Sequence, residues 1–476
     1  MVYSITHRNE KLEPNLSATL SSQDQQQTAT ATNDETQPLM KRHISITVCD
    51  KEQKYRVQWK NWLWHSSMFN FRALLIVTAI ALAMYASSHL GENTIVIPIE
   101  QAIEHTINVG SGLSIWFRTW GLHDQNGYYL PPDVPAVLFV HGGPGQAVVD
   151  YKNGNKRFFD AEVFFVVEVD QRGTGNSKPS VRDDYHNMKY YQDVSIDLIA
   201  HDFEEVRKYL GIQEWVVWGG SYGSTIALNY CMLYPESCTS LLLRGIYLDT
   251  QEELSQVYSR EAFEDDERKL AEFNILYDFA QGYHRRNVAG GDTIESKDLD
   301  PNDYEGLLGA YEEMITQGDA QAIWTWHTFE NNLMEDRPEN QLDPGVIKED
   351  KLPEAQSVAF FETRLWLHGA FEHPSKLLER VHHLKNIPIW ICQGIYDNVC
   401  PVQNAWNLVK ALKMVHHRHP SSYAPGYLQA YFLDANHEDT DPVMESCLKK
   451  IMNEFLEMNN PRISSQPYLR LPSKHR

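Results

Sequence analysis

The sequence contains little cysteine and little positive charge for its length. Six cysteines among 476 residues are too few for a disulfide scaffold, and no CxxC pair suggests a zinc site. Lysine and arginine number 42 against 64 aspartates and glutamates, which gives a formal net charge of −22. Because phosphate binding requires a basic face, this balance argues against nucleic acid as a partner. Cys231 and Cys238 could pair in an oxidising compartment or remain two buried thiols.

Long apolar runs are also scarce, and one stretch alone is a candidate membrane span. Residues 1–67 are polar and biased in composition, which predicts a disordered N-terminal region. Residues 73–90 carry no formal charge, and basic residues precede them whereas acidic residues follow. By the positive-inside rule, this pattern predicts a single signal-anchor helix over 68–90 with a cytoplasmic N-terminus. The strongly apolar part, 73–86, is shorter than the roughly 20 residues of a span, so a buried or interfacial helix in a cytoplasmic protein is the alternative.

From residue 94 onward, short apolar segments alternate with helical patterns. A helix is predicted over 191–212, because its apolar residues share one face. Runs rich in Val, Ile and Phe predict buried strands at 115–120, 136–141, 163–170, 215–219, 240–248, 387–397 and 427–436. Repeated strand–helix alternation is the signature of an α/β fold, with a mostly parallel sheet and helices on both faces.

One long segment interrupts this alternation. Residues 250–384 are acidic, aromatic-rich and helix-leaning, and they fall between two of the predicted strands. We therefore predict an inserted helical cap over 250–384. The sheet domain is then divided into a first part, 94–249, and a second part, 385–460, followed by a C-terminal tail, 461–476.

The sequence WVVWGGSYGS, residues 215–224, contains the pattern G-x-S-x-G. Taken alone, glycine and serine in this order are typical of an ordinary turn. Here a buried strand precedes Ser221 and a helical pattern follows it, which is the setting of a nucleophile elbow. Glycines at 219, 220 and 223 fit this interpretation, because bulkier neighbours would clash at so sharp a bend.

Two further residues could activate the serine. A serine hydroxyl needs a base to accept its proton and an acid to orient that base. In this topology the order along the chain is Ser, then Asp or Glu, then His. Asp397 and His437 follow predicted strands in that order, at the same edge of the sheet as Ser221. For each residue alone a surface-loop role is the simpler interpretation, but the three together predict a catalytic triad.

The segment HGGPG, residues 141–145, follows the strand AVLFV. Its glycines can turn backbone N–H groups toward a tetrahedral oxyanion, and we predict an oxyanion hole at Gly143 and Tyr222. An ordinary Gly-Pro turn is the alternative. The segment DQRGTGNS, residues 170–177, ends the next strand. We expect Asp170 and Arg172 to hold that loop in a structural role.

Four motifs taken together identify a family resemblance: HGGPG, DQRGTGNS, GGSYGSTIAL with the following LLLRGIYL, and QGIYDNVCP. This set resembles the proline iminopeptidases (prolyl aminopeptidases), which are serine peptidases of the α/β-hydrolase fold. The resemblance covers about residues 105–460. It implies an α/β-hydrolase fold and a triad of Ser221, Asp397 and His437.

The resemblance also implies substrate-binding residues in the cap. A site for a free N-terminal ammonium suits a pair of carboxylates, because charge-assisted hydrogen bonds are strong in a partly desolvated pocket. The family places one glutamate after a W-x-x-W-E pattern, which corresponds to Glu330 in WHTFE, with Trp326 retained and Phe329 replacing the second tryptophan. The other corresponds to Glu362 in FETRLW, where Arg364 stands in place of a histidine. Trp326 and Phe329 are predicted to line the pocket for the proline ring.

The resulting prediction is a membrane-anchored serine aminopeptidase that releases N-terminal proline from peptides through an acyl-enzyme. This chemistry needs no metal and no organic cofactor. Two alternatives remain open at this stage. One is an esterase, lipase or broader amide hydrolase on the same fold, for which the cap glutamates would be irrelevant. The other is a binding protein that keeps the fold but has lost the chemistry.

Overall fold

A computed structural model describes most of the chain from residue 94 onward. The described residues are 3–6, 45–49, 54–58, 94–124, 134–151, 154–288, 298–335, 337–369, 376–418 and 427–459. The chain divides into two compact units, of which the larger comprises Met1–Arg8 with Thr94–Arg476 and the smaller comprises Asn9–Asn93. The described part of the smaller unit is an antiparallel pair of strands, β2 (Ser45–Cys49) and β3 (Lys54–Gln58).

The larger unit is built on a ten-stranded sheet. The strands of this sheet are β1 (Tyr3–Thr6), β4 (Thr94–Ile97), β5 (Ile103–Gly110), β6 (Leu113–Asp124), β7 (Ala136–Val140), β8 (Phe165–Val169), β9 (Trp215–Gly220), β10 (Cys238–Arg244), β11 (Ile389–Gly394) and β12 (Leu428–Leu433). Their order is β1-β12-β11-β10-β9-β7-β8-β6-β4, and β5 pairs with β6. The six strands from β8 to β12 in this order are parallel, whereas β1, β4, β5 and β6 pair antiparallel at the two sides.

Ten α-helices of the larger unit lie among the described residues. They are α1 (Ile196–Tyr209), α2 (Tyr222–Leu233), α3 (Gln251–Tyr258), α4 (Glu267–Val288), α5 (Tyr304–Thr316), α6 (Ala320–Met334), α7 (Leu352–Arg364), α8 (Lys376–Arg380), α9 (Val402–Arg418) and α10 (Pro442–Asn459). A turn of π-helix, Leu365–Gly369, continues α7.

Helices cover both faces of the sheet. Along β9, Val217 belongs to one buried apolar cluster and Val216 to another, because successive side chains of a strand point to opposite faces. The first cluster includes Phe203 of α1, and also side chains of α2 and α9. The second includes Ile451 of α10. Five of the six parallel strands are buried along their whole length, and β10 is buried except at Thr239 and Arg244, as expected for a sheet with two covered faces. The predicted α/β fold class is confirmed.

The predicted helix over 191–212 is α1, and it begins later than expected. Ser195 caps its N-terminus by accepting a hydrogen bond from the Leu198 N–H, and the preceding residues 185–191 form a 3-10 helix. Helices α3 to α8 lie between β10 and β11, in the segment predicted to be a cap. The boundary at 250 coincides with Thr250, which caps α3 in a reciprocal pair with Glu253.

The predicted membrane localisation has to be corrected. The proposed anchor, residues 68–90, lies outside the described residues. Within the described part of the chain, no helix combines the length and apolar character needed to cross a membrane. The prediction of a single-pass membrane protein with a cytoplasmic N-terminus is therefore wrong.

Two disulfides hold the sheet domain. Cys231 at the end of α2 is bonded to Cys238 at the start of β10, with a Cα–Cα distance of 5.8 Å. This is one of the two alternatives that the sequence left open. Cys392 of β11 is bonded to Cys447 of α10, with a Cα–Cα distance of 6.2 Å. This second pair could not be anticipated, because 55 residues separate its members.

Candidate active site

Ser221 lies at the sharp turn between β9 and α2. Its backbone angles are φ 57° and ψ −134°, in a region that side-chain-bearing residues seldom occupy. The Ser221 N–H donates a hydrogen bond of 2.9 Å to the Arg244 carbonyl of β10. A Cβ at Gly219 would lie 2.3 Å from the Gly223 carbonyl oxygen, and one at Gly223 would lie 2.5 Å from the Val140 oxygen. Glycine is thus required on both sides of the serine by close backbone approach.

The structure brings Ser221, His437 and Asp397 into contact. His437 Nε2 is 3.1 Å from Ser221 Oγ, and His437 Nδ1 is 2.9 Å from each carboxylate oxygen of Asp397. Asp397 follows β11 and His437 follows β12, so the parallel strands deliver both to the same edge as the elbow. This arrangement can move a proton from the serine hydroxyl to the imidazole.

The Asp397 carboxylate is fixed by its own loop. Its Oδ1 accepts hydrogen bonds from the backbone N–H groups of Val399 at 3.0 Å and Cys400 at 2.7 Å. Its Oδ2 is 3.4 Å from the side-chain amide of Gln393. The side chain of Asp397 is fully buried. These N–H donors hold the carboxylate in place, where it can orient the imidazole and stabilise the imidazolium.

The HGGPG segment lies directly beside the serine. A Cβ at Gly142 would be 3.3 Å from the Ser221 Cβ, and the Gly142 N–H donates to the Tyr151 hydroxyl at 2.8 Å. Gly143 follows with φ 108°, a conformation that favours glycine. His141 is buried, and burial lowers its pKa to about 4. The neutral ring then accepts a hydrogen bond of 3.2 Å from the Gln171 N–H, which fixes the start of the segment.

A cavity opens in front of the serine. It is lined by Gly143, Ser221, Tyr222, Tyr247, Val257, Tyr258, Glu330, Glu362, Trp366, Val399 and Cys400. These residues come from both parts of the sheet domain and from helices α3, α6 and α7 with the turn that follows α7. The fold therefore places both predicted glutamates and both predicted oxyanion residues around one cavity with Ser221.

Desolvation raises the pKa of both cavity glutamates. For Glu330 it raises the pKa to about 7, against the lowering effect of a hydrogen bond from the Tyr258 hydroxyl and of nearby His437. For Glu362, which is 4 % exposed, burial and the adjacent Glu330 raise the pKa well above its usual range. Its Oε2 accepts a hydrogen bond of 2.6 Å from Trp326 Nε1. The two carboxyls therefore favour a bound cation, which would make ionisation of both less costly.

Arg364 does not supply that cation. Its Nη1 forms an ion pair of 2.8 Å with Glu312, and its Nε donates to the Gln192 carbonyl oxygen at 2.9 Å. Although Arg364 is two residues from Glu362 in sequence, successive positions on a helix point to different sides. The replacement of histidine by arginine in FETRLW thus leaves the Glu362 carboxyl facing the cavity.

Two of the predicted pocket residues lie behind its wall. Trp326 is buried, donates to Glu362 and stacks on Tyr258 with ring centroids 5.1 Å apart. Phe329 is buried against Tyr258 and Phe263. Neither residue belongs to the cavity lining given above. Their predicted contact with a substrate ring remains a prediction, and their described contacts support the lining residues.

Sequence reasoning missed six lining residues: Tyr247, Val257, Tyr258, Trp366, Val399 and Cys400. Tyr247 and Trp366 lie within the segments LLLRGIYL and FETRLW that carry the family resemblance. Their aromatic side chains in these segments were the signal that could have identified them. Tyr258 ends α3 without any motif. Cys400 follows Asp397 by three residues, and burial raises the pKa of its thiol well above the usual range.

One group of described side chains could hold a metal ion. The ligand atoms of Asp397, Cys400 and His437 all lie within 4.8 Å of one another. Aspartate and histidine are here engaged with each other and with Ser221 Oγ. A metal at this position would compete with the proton transfer that these contacts allow.

Known proteins are similar in sequence to this chain. Residues 135–423 match the model of the α/β-hydrolase fold family. A proline iminopeptidase of Arabidopsis thaliana is 31% identical over 355 residues, which cover 72% of this chain and 81% of the relative. A proline iminopeptidase of Xylella fastidiosa (strain Temecula1) is 33% identical, over 59% of this chain and 80% of the relative. That of Neisseria gonorrhoeae is 32% identical, over 59% and 79% respectively.

Solved structures also resemble the chain. A proline iminopeptidase of Mycobacterium smegmatis has 16% identity and a TM-score of 0.42, over 76% of this chain and 100% of that one. A proline iminopeptidase-related protein of Thermus thermophilus has 18% identity and a TM-score of 0.43, over 76% and 99%. The family assignment rests on the curated relatives, which match at about 30% identity over most of their length. The chain therefore belongs to the proline iminopeptidase family of the α/β-hydrolase fold.

Proposed function

We propose that this protein is a serine aminopeptidase that releases N-terminal proline from peptide substrates. The observation that carries this proposal is the shared cavity of Ser221, Glu330 and Glu362. A nucleophile alone would suit any acyl transfer. Two carboxyls in the same small cavity add a requirement for positive charge close to the scissile carbonyl, and the α-ammonium of an N-terminal residue meets it.

The aromatic walls fit a small apolar ring at this position. Tyr258 packs against both Trp326 and Trp366, with ring centroids 5.1 Å and 5.3 Å from its own. Trp366 and Tyr247 complete the lining next to it. An apolar enclosure with a few placed polar groups is typical of small-ligand sites. We assign the ammonium to Glu330 and Glu362 and the pyrrolidine ring to Tyr258, Trp366 and Tyr247.

The proposed chemistry follows from the contacts of Ser221. His437 Nε2 accepts the hydroxyl proton while Ser221 Oγ attacks the carbonyl carbon of the N-terminal residue. Asp397 holds the tautomer of His437 that leaves Nε2 free and stabilises the imidazolium. Backbone N–H groups of Gly143 and Tyr222 stabilise the oxyanion. His437 then protonates the leaving amine, and water attacks the acyl-enzyme with the same base to release proline.

The proposed domain division serves this chemistry. The sheet parts 94–249 and 385–460 supply the triad, and the inserted segment 250–384 supplies the two glutamates and Tyr258. The polar regions 1–67 and 461–476 have no assigned role in the reaction. An esterase on the same fold is the competing function, and it would make no use of the glutamates.

A substrate comparison tests the proposal. The p-nitroanilides of L-proline, L-alanine and N-acetyl-L-proline share one leaving group and differ in the first residue and its charge. We expect the free prolyl compound to have the highest kcat/KM, the alanyl compound a lower one, and the acetylated compound almost none, because its amide nitrogen carries no charge. Equal turnover of the acetylated and the free compound would remove the aminopeptidase assignment and favour the esterase.

A further inference from the structure

The two loops that carry the nucleophile and the base do not come from neighbouring strands. Ser221 follows β9 and His437 follows β12, and the sheet order places β10 and β11 between these strands. Backbone pairing within the sheet therefore does not link the two loops directly. A hydrogen bond of 3.1 Å between Ser221 Oγ and His437 Nε2 needs another connection across this gap. A shift of about 1 Å in either loop can lower a reaction rate about a hundredfold.

Arg244, the last residue of β10, spans this gap. Its carbonyl oxygen accepts the Ser221 N–H at 2.9 Å, and its Nη1 donates to the carbonyl oxygen of His437. The guanidinium also lies against the backbone of the elbow, because a Cβ at Gly220 would be 2.9 Å from both Nε and Nη2. One side chain thus contacts the turn that holds the nucleophile and the backbone of the residue that supplies the base.

The next residue, Gly245, makes room for the imidazole. It has φ 55°, and a Cβ there would lie 3.3 Å from His437 Cε1 and 3.5 Å from Asp397 Oδ2. Its own N–H donates to the Cys392 carbonyl of β11 at 3.2 Å. The dipeptide Arg-Gly at the end of β10 therefore fixes the His437 backbone through its arginine and clears space for the His437 ring through its glycine.

We infer that Arg244 is a positioning residue, which sets the distance between Ser221 and His437 by joining the elbow to the His437 loop. The inference rests on the triad of the proposed function but not on the substrate assigned to it. Arginine suits this task better than lysine, because its planar fork presents several N–H groups in a fixed geometry. Its side chain also lines a second small cavity, with Tyr151, Asp439 and Gly220, which shares no lining residue with the cavity of Ser221 and the two glutamates.

Removal of the guanidinium tests this inference. We expect Arg244→Met to lower kcat for proline p-nitroanilide by about ten- to a hundredfold and to leave KM nearly unchanged, because Glu330 and Glu362 are untouched. The labelling rate of Ser221 with a neutral fluorophosphonate should fall by the same factor. Added guanidinium chloride at millimolar concentration should restore part of both rates by occupying the space of the lost side chain. Arg244→Lys should keep part of the rate.

The control is Arg157→Met. Arg157 also contacts the chain after His437, and its ion pairs there are with the side chains of Asp439 at 3.2 Å and Glu445 at 3.3 Å. We expect both rates to stay close to wild type in this variant. Wild-type rates in Arg244→Met would overturn the inference. The inference would also be overturned if both rates fell only in parallel with the melting temperature and guanidinium did not restore them.

The labelling measurement separates this inference from the proposed function. Fluorophosphonate needs an activated serine but no ammonium site. If the wild-type protein failed to cleave proline p-nitroanilide yet reacted with fluorophosphonate, the aminopeptidase assignment would be wrong. The Arg244 inference would then still be tested by comparing the labelling rates of the wild-type protein and Arg244→Met.

Discussion

The edge of the sheet and the helical segment over it meet at one cavity but are built on different physical grounds. At the sheet edge, Asp397 is fixed by backbone N–H groups within three residues of it, and Ser221 by a turn of its own glycines. In the helical segment, Glu330 and Glu362 are 32 positions apart on two helices and are fixed by side chains, Tyr258 and Trp326. Local backbone holds the first group, and tertiary packing holds the second.

The difference extends to charge. The sheet edge offers hydrogen-bond donors to Asp397, whereas the helical segment leaves two carboxyls desolvated beside each other, and this raises the pKa of both. The triad at the sheet edge is therefore already formed in the absence of a substrate. The carboxyl pair becomes fully ionised at lower cost when a cation binds. We expect substitutions at the edge to stop acyl transfer altogether and substitutions of the pair to change which substrates are used.

The largest effect is expected at the edge. Ser221→Ala should lower kcat for proline p-nitroanilide by more than about a thousandfold, because no other side chain replaces the nucleophile. Labelling by fluorophosphonate should also be lost. Steady-state kinetics and in-gel fluorescence measure the two quantities. Ser255→Ala, a change at a half-buried position on α3 that removes a bond to the Glu252 carbonyl oxygen, is the matched control. Retained turnover in Ser221→Ala would contradict the triad.

A selective effect is expected in the carboxyl pair. Glu330→Gln keeps an oxygen that can accept from the Tyr258 hydroxyl but removes the charge. We expect kcat/KM for proline p-nitroanilide to fall about 10- to 100-fold, since a hydrogen bond to a charged group contributes about 1.5–3 kcal/mol. The fluorophosphonate labelling rate should stay near wild type. If labelling fell as far as turnover, the two regions would not be separable in the way proposed.

The control for this change is another glutamate of the helical segment. Glu312 pairs with Arg364 at 2.8 Å and lies outside the cavity lining. Glu312→Gln removes one carboxylate charge from the same segment without touching Glu330 or Glu362. We expect both rates to remain close to wild type. A loss of prolyl turnover equal to that of Glu330→Gln would indicate a general effect of charge rather than contact with the ammonium.

A smaller effect is expected from pH. The Glu330 pKa is raised to about 7, so its carboxyl is neutral below that value and ionised above it. Since an ammonium binds the ionised form, kcat/KM for proline p-nitroanilide should rise about tenfold from about pH 6 to about pH 8. Dividing kcat/KM by the fluorophosphonate labelling rate at each pH cancels the pH dependence of groups that affect both reactions. In Glu330→Gln, the ratio of kcat/KM to labelling rate should no longer rise with pH. An unchanged rise would show that another group is responsible for it.

The parts of the fold that the sequence predicted are those with local signals. Every strand from β7 to β12 was anticipated as a short run of β-branched and aromatic residues, because a strand buried on both faces tolerates few polar side chains. The outer strands β4 and β5 were not anticipated, because all their positions are half-buried or exposed and leave a weaker apolar pattern. The predicted start of α1 at residue 191 was too early, because Ser195 caps the helix and its first turn begins at Ile196.

For the site, the motif residues themselves were predictable and their environment was not. The pattern G-x-S-x-G with an Asp and a His at later strand ends specifies three residues by order alone. Tyr258 could not be found in this way, because its role depends on a hydrogen bond to a residue 72 positions later. Nor could the side on which Arg364 lies be known before Glu312 and Gln192 were seen to contact it.

The sequence by itself determined the elbow, the order of its partners and the α/β class, since glycine placement and apolar periodicity act over a few residues. The tertiary structure alone decided three other matters. It placed Glu330 and Glu362 in the cavity of Ser221, paired Cys392 with Cys447, and set Arg244 between the elbow and His437. Each depends on segments far apart in the chain, and their distances follow only from the packing of strands and helices.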